Sequence, residues 1–397
     1  MNPDSPRLLL AIQTTTFSAL GGIPTYNRIL CRALDELQDP AASYEKRVLI
    51  AMDKPADIAP AEAGFTSLSL EAFGGNRLAL IRRAVGLAMS RRIDLALIGH
   101  VNYAPLAWVL KRLQPRMRYG VILYGIDAWR PLKGLRRRAL QQADFLISIS
   151  EYTKDRAVEE NGLRADRFYL LPNALGSNQR ESCTPPCEVP DPQETRMLSV
   201  CRLESSERYK GVDRVIEALP EIQKHIPDIQ YTVVGGGDDL RRHQDLAQRL
   251  GVTERVRFMG FLEDAALQSC YRDADLFVMP STGEGFGFVF LEAMQHGKPI
   301  VAANCAAVPE VVADGVSGVL VARDNLAQLT DAIVRLCRDR TLRESMGAAG
   351  RERLHQHFDF EHFKERLREI IRQQVPVAAP FSRIVMASNA ARARIDT

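Results

Sequence analysis

The chain has no uninterrupted apolar run of the roughly eighteen residues that a membrane span needs, which argues against a transmembrane helix. Its opening, "MNPDSPRLLLAIQTT", has neither the basic head nor the small-residue cleavage site of a secretory signal, so a cytoplasmic protein is expected. Cysteines are few. Seven of them, an odd number scattered over 397 residues, read as reduced thiols rather than a disulfide framework. Cys183 and Cys187 in "CTPPC" are the only close pair, and no His or further Cys lies near them to complete a zinc site, so no metal is expected. No nucleic-acid-binding motif occurs either, so nucleic acid is not an expected partner.

What is present is an enzyme-sized composition, 46% apolar and 25% charged, on a chain longer than one core usually supports. Two domains are therefore expected. The net charge of +3 conceals an asymmetry: residues 1–175 hold 24 Lys and Arg against 17 Asp and Glu, leaving a net of −4 in the remainder. Between Phe73 and Leu140 stand 14 basic residues and two acids, Asp94 and Asp127, in runs such as "RLALIRRAVGLAMSRR" and "RPLKGLRRR". Basic residues interleaved with apolar ones at helical intervals suit a helix lying on an anionic membrane surface, with a solvated basic face as the alternative. Arg82, Arg83, Arg91 and Arg92 are the cations this reading singles out.

Short apolar runs alternate with amphipathic stretches throughout, the pattern of repeated strand-helix units in a parallel sheet. In the first half "RLLLAIQT", "KRVLIAM", "LALIGH", "YGVILYG", "DFLISIS" and "FYLLPN" read as strands, with "PTYNRILCRALDEL" and "TKDRAVEENG" as helices. The alternation restarts at "MLSVCR" after an aperiodic stretch rich in Pro and Ser. The spacing predicts an α/β protein of two tandem doubly wound, Rossmann-like parallel-sheet domains facing a cleft. Their expected limits are 1–178 and 196–358, with a linker over 179–195, a helix over 359–375 packing back toward the first domain, and a loose tail over 376–397.

In open parallel sheets ligands sit at the carboxyl ends of strands, so the loops there carry the candidates. After "MLSVC" come Arg202 and then Lys210, a fork and a mobile point charge that suit a diphosphate; the alternative is a solvated basic loop in which Glu204, Glu207 and Arg208 neutralise one another. "VVGGGDD" places Gly235 in a tight turn without the full dinucleotide spacing. "EGFGFVFLE" sets Glu284 on a loop and Glu292 one turn into a helix, leaving the N–H groups of Gly287, Phe288 and Val289 as donors for a phosphate. The two acids would then hold opposite ends of one nucleotide-sugar: Glu284 the sugar, Glu292 the ribose.

"EGFGFVFLE" resembles the E-x7-E motif of retaining GT-B glycosyltransferases, in particular family 4 (glycosyl transferases group 1) of bacterial polysaccharide and lipopolysaccharide assembly. "RLESSERYKG" is similar to that family's diphosphate clamp, "VRFMGFL" to its V-x-F-x-G strand, and "AAVPEVVADGVSGVLV" to its P-E-V-V segment. In the first half "GGIPTYNRIL", with Gly21 and Gly22, resembles the loop facing donor and acceptor, and "LIGHVNYAP" the strand that ends in an active-site His100.

The resemblance implies a retaining, metal-independent and cofactor-free hexosyltransferase. It would move a mannose- or glucose-type sugar from a nucleoside diphosphate sugar, GDP-mannose ahead of a UDP-sugar, to a hydroxyl of a polyprenyl- or otherwise lipid-linked glycan in cell-surface exopolysaccharide or lipopolysaccharide biosynthesis. Arg202, Lys210, His100 and Glu284 would be catalytic; Gly21, Gly22, Gly235, Gly287, Phe288, Val289 and Glu292 would complete the donor site; Tyr124 and Asp127 would face the acceptor. Tyr124 stands where relatives carry a His, and Cys305, Ala306 and Ala307 where a Gly-Gly pair is common, so the backbone's approach to the donor there is in question. A nucleotide-sugar epimerase of the same fold is the alternative. A peripheral position on the inner face of the cytoplasmic membrane follows if the basic face is used.

Overall fold

Strands buried on both faces read as continuous runs of Val, Ile and Leu, and this chain builds both of its sheets from such runs. The computed structural model describes residues 7–38, 43–62, 64–176 and 194–375. The expected linker, apart from its last residues, the tail and the Cys183–Cys187 pair lie outside them.

The first sheet comprises β1 (Arg7–Gln13), β2 (Tyr44–Ile50), β3 (Leu68–Ala72), β4 (Ile93–Ile98), β5 (Arg118–Leu123), β6 (Phe145–Ser148) and β7 (Phe168–Leu170), ordered β3-β2-β1-β4-β5-β6-β7. All its pairings are parallel. Its helices are α1 (Gly22–Asp35), α2 (Pro55–Glu62), α3 (Arg77–Ser90), α4 (Ala104–Leu113), α5 (Gly134–Gln141) and α6 (Glu151–Asn161). The second sheet comprises β8 (Thr195–Val200), β9 (Ile229–Val234), β10 (Val256–Gly260), β11 (Leu276–Met279), β12 (Ile300–Ala303) and β13 (Gly318–Val321), ordered β10-β9-β8-β11-β12-β13. Around it lie α7 (Val212–His225), α8 (Leu240–Arg249), α9 (Asp264–Asp273), α10 (Phe288–Gln295), α11 (Val308–Val311), α12 (Leu326–Arg338) and α13 (Arg340–His357), and the chain ends its described part with α14 (Phe360–Gln374). Two doubly wound parallel sheets in tandem are the expected GT-B architecture.

Strand order reverses between β1 and β4 and again between β8 and β11, so each sheet opens a crevice at those carboxyl ends. The sequence reading missed α2 and β3, because "LSLEA" alternates as an edge strand and is too short to stand out. Helix α14 turns its stripe of Phe360, Phe363, Leu367, Ile370 and Ile371 onto the first domain. There Phe363 meets Tyr26 of α1 edge-on at 5.4 Å, Lys364 pairs with Glu36 at 2.9 Å, and Arg7 donates to the Val375 carbonyl. The second domain is thereby tied to the first.

Candidate active site

Lys210 ends a 3-10 turn, Ser205–Lys210, that Gly211 closes at φ 78°. That turn is sewn to the loop after β11: Thr282 N–H donates to the Tyr209 carbonyl at 2.8 Å, and the Tyr209 ring lies over Gly283. A Cβ on Gly283 would fall 3.0 Å from the ring. The consequence is that the Lys210 ammonium and the Glu284 carboxylate meet at 2.5 Å with little exposure, 18% and 9% of their side chains. Burial would lower the lysine's pKa, but the Glu284 carboxylate outweighs it and holds the ammonium above the ordinary range. Lys210 and Glu284, expected on the diphosphate and the sugar respectively, are thus paired with each other.

Arg202, expected on the other flank of a diphosphate, has an acidic partner of its own. Its guanidinium pairs with Glu207 and is 63% exposed, because the 3-10 turn brings Glu207 back beside the end of β8. Arg208, expected in the alternative to neutralise Glu204 and Glu207, pairs instead with Asp239 at 2.9 Å. Both cations that the sequence placed on the diphosphate thus face a carboxylate, Arg202 that of Glu207 and Lys210 that of Glu284.

The neighbouring loop is dictated by space. A Cβ on Gly235 would lie 1.8 Å from the Cys201 carbonyl and one on Gly237 2.2 Å from that of Leu203, so only glycine lets β9 turn against β8 here. After Glu284, Gly287 takes φ 93° and serves as N-cap of α10 without any side-chain cap, leaving the first-turn donors of Phe288 and Val289 to a ligand. One turn further in, Glu292 accepts the Tyr271 hydroxyl at 2.7 Å. Burial raises its pKa, Tyr271 offsets this in part, and Asp264 adds to the rise.

The first domain meets this surface backbone to backbone. A Cβ on Gly285 would lie 2.5 Å from the Tyr124 carbonyl, and one on Gly22 3.8 Å from the Phe288 ring. Gly21, at φ 134°, starts α1. His100, at the end of β4, accepts the Asn102 N–H on Nδ1 at 3.1 Å, which leaves the ring proton of the neutral imidazole on Nε2. Burial, and secondarily Arg136, lower its pKa and keep it neutral.

Tyr124 departs from the expected acceptor contact: its hydroxyl donates to Asn27 Oδ1 at 3.0 Å and its ring packs edge-on against Tyr26 at 5.1 Å. Asp127 stays a candidate. Its Oδ1 accepts the Tyr124 N–H, while Oδ2 is buried without a hydrogen-bond partner among the described residues. Burial raises this carboxyl to about 7 against the pull of its backbone donors. Ala306 sits at φ 52°, so the chain keeps the left-handed turn a glycine would favour and adds a methyl group to it.

Sequence reasoning missed the groups that hold the first-domain loop after β1. Asp53 accepts the N–H groups of Thr16 and Phe17 and the Ser18 hydroxyl, and Arg28 donates to the carbonyls of Thr16 and Ala19. Asp53 lies 37 positions from Thr16, too far for a local pattern to connect them. It also missed Glu310, whose carboxylate crosses to α6. Among the described residues no group of three or more His, Cys, Asp or Glu could hold a metal ion.

Two family models match the chain: "Glycosyltransferase Family 4" over residues 20–176 and "Glycosyl transferases group 1" over residues 189–353. A phosphatidyl-myo-inositol mannosyltransferase of Mycobacterium leprae is 40% identical over 147 residues, 37% of this chain and 38% of its own. A GDP-mannose-dependent alpha-(1-6)-phosphatidylinositol monomannoside mannosyltransferase of Mycolicibacterium smegmatis is 33% identical over 54% of this chain and 58% of its own. These matches thus span from little more than a third to somewhat over half of the relatives' lengths. Among solved structures, an Anabaena protein in complex with UDP and glucose superposes with a TM-score of 0.72 at 20% identity, covering 92% of this chain and all of that one. A glycosyltransferase of Rickettsia africae gives 0.74 at 16% identity, covering 94% and 100%.

Proposed function

Because the chain belongs to glycosyltransferase family 4, with the GT-B fold, we propose that it transfers a hexose with retained anomeric configuration from a nucleoside diphosphate sugar to a hydroxyl of a lipid-linked acceptor. The observation that carries this reading is the buried Lys210–Glu284 pair beside the uncapped start of α10. A diphosphate oxygen takes over Lys210 and the α10 donors, and Arg202 swings from Glu207 to the same group. These cations and the helix dipole neutralise the charge that grows on the leaving phosphate, so the transition state gains more than the ground state. Glu284, released from Lys210, accepts hydroxyls of the sugar, and Glu292 those of the ribose. The acceptor hydroxyl attacks from the face the phosphate leaves, and its proton passes to the departing phosphate oxygen. His100 Nε2–H donates to the reacting sugar from the first domain. No metal is assigned a part in these steps.

The mannosyltransferases among the relatives favour transfer over epimerisation and GDP-mannose as the donor. The same relatives act, by name, on phosphatidylinositol or its mannosides, which supports a lipid-anchored acceptor. A membrane-facing surface for it is offered by α3, α4 and α5, which expose Leu78, Ile81, Met89, Leu113 and Leu135 among basic residues. Incubation with GDP-mannose and a panel of UDP-sugars, with and without extracted polyprenyl and phosphoinositide lipids, tests the reading. Nucleoside diphosphate release that requires both one donor and one lipid supports it; an epimerised free nucleotide-sugar as the product would sink it.

A further inference from the structure

We propose that Glu310 is a positioning residue that fixes the register of the two domains across the cleft. Its Oε2 accepts the Glu151 N–H and its Oε1 the Tyr152 N–H, both at 2.7 Å, although the partners stand 159 and 158 positions apart. These are the first two residues of α6, whose N–H groups have no partner inside the helix. Ser150 caps the same turn by accepting from Thr153, so Glu310 supplies what the first domain's own residues leave undone. A carboxylate at a helix start also lies at the favourable end of the helix dipole.

The contact is rigid on both sides. In the second domain Arg353 donates to the carbonyls of Glu310 and Val311, each at 2.7 Å, pinning the short α11. The Ala307 N–H at the start of α11 donates to the Glu284 carbonyl, so the donor loop and Glu310 share one backbone path. In the first domain the Tyr152 ring packs edge-on against Trp129 at 5.2 Å, and Trp129 Nε1 donates to Thr153 Oγ1. Trp129 in turn lies against Gly125, in the loop that carries Asp127. An unbroken series of contacts therefore runs from Glu284 through α11 and Glu310 to α6 and the Asp127 loop. A half-buried carboxylate left without its donors is costly, so sliding one domain past the other is disfavoured even where the pair adds little net affinity.

The catalytic side of this inference rests on the donor-cleft reading above, and the test separates the two. Hydrogen exchange at the Glu151 and Tyr152 amides is followed in the whole chain, with and without UDP or GDP, for the native protein, Glu310→Ala and Glu310→Gln. Glu310→Ala should exchange at least about tenfold faster at the start of α6, with Glu310→Gln between, because one acceptor oxygen remains. Where transfer is measurable, the Ala variant should lose about 10² in kcat while nucleoside diphosphate affinity changes less than about twofold, since a misplacement near 1 Å has that effect on rate. Unchanged exchange in Glu310→Ala overturns the proposal, as does a loss of nucleotide affinity matching the loss of rate, which would place Glu310 on the donor. Faster exchange in a protein whose native form transfers no sugar supports the contact and counts against the reaction instead.

Discussion

At the scale of single residues, the pairing of Lys210 with Glu284 separates two effects that an alanine substitution confuses. Lys210→Ala removes the cation proposed for the leaving group and also leaves a buried carboxylate unpaired. The first should lower turnover by at least about 10²; the second should destabilise the fold by roughly 3 kcal/mol. The double change Lys210→Ala with Glu284→Gln should recover most of the stability and none of the turnover, read by urea unfolding alongside nucleoside diphosphate release. Recovery of both would mean that the pair is structural. Asp127 offers a pH test. Its pKa in the folded state, about 7, lies above the ordinary 3.8, so ionising it burdens the folded state. Its stability contribution is complete below the lower value, is lost as pH rises between the two, and stays lost above the higher. Asp127→Asn removes that loss, so its advantage in urea midpoint should grow from about pH 4 to about pH 7 and level off above. Parallel curves for the two proteins would mean that this carboxyl titrates elsewhere.

At the scale of elements, the loop from Gly283 to Gly287 has three duties and a glycine for each. Gly283 accepts the Tyr209 ring, Gly285 admits the first domain's backbone, and Gly287 makes the turn into α10. Gly285→Ala puts a methyl group 2.5 Å from the Tyr124 carbonyl, which belongs to the other domain, so the substitution acts on the cleft and leaves both sheets as they are. Transfer should fall by about 10² with the melting transition of each domain unchanged, because the reacting groups are displaced by close to 1 Å. Full activity in this variant would show that the cleft closes by another route.

At the scale of the whole molecule, the basic face of the first domain divides into paired and unpaired cations. Arg83 pairs with Glu71, Arg91 with Glu45 and Arg92 with Asp94, so three of the four arginines that the sequence singled out are already neutralised. Arg77, Arg82, Arg112 and Arg116 form no ion pair among the described residues and lie near exposed Leu78, Ile81 and Leu113. Replacing these four by Gln should weaken binding to anionic vesicles by about 10² or more, since each contributes roughly 1 kcal/mol near such a surface, and added salt should shrink the difference. The Arg83, Arg91 and Arg92 changes should have a smaller effect. Equal effects from the two sets would return the face to plain solvation.

The sequence by itself determined what is local. Alternating apolar runs specified two parallel sheets, and α7, β10 and α14 fell where their periodicity put them because a helix or strand is decided by neighbours a few positions away. The E-x7-E stretch was legible for the same reason: one loop and one helical turn set the distance from Glu284 to Glu292. Only the tertiary structure decided which charges meet. It paired Lys210 with Glu284 across 74 positions, turned the Tyr124 hydroxyl to Asn27 across 97, and carried Glu310 to α6 across 159. Such partners are chosen by where the carboxyl ends of separate strands converge, and no spacing along the chain encodes that convergence.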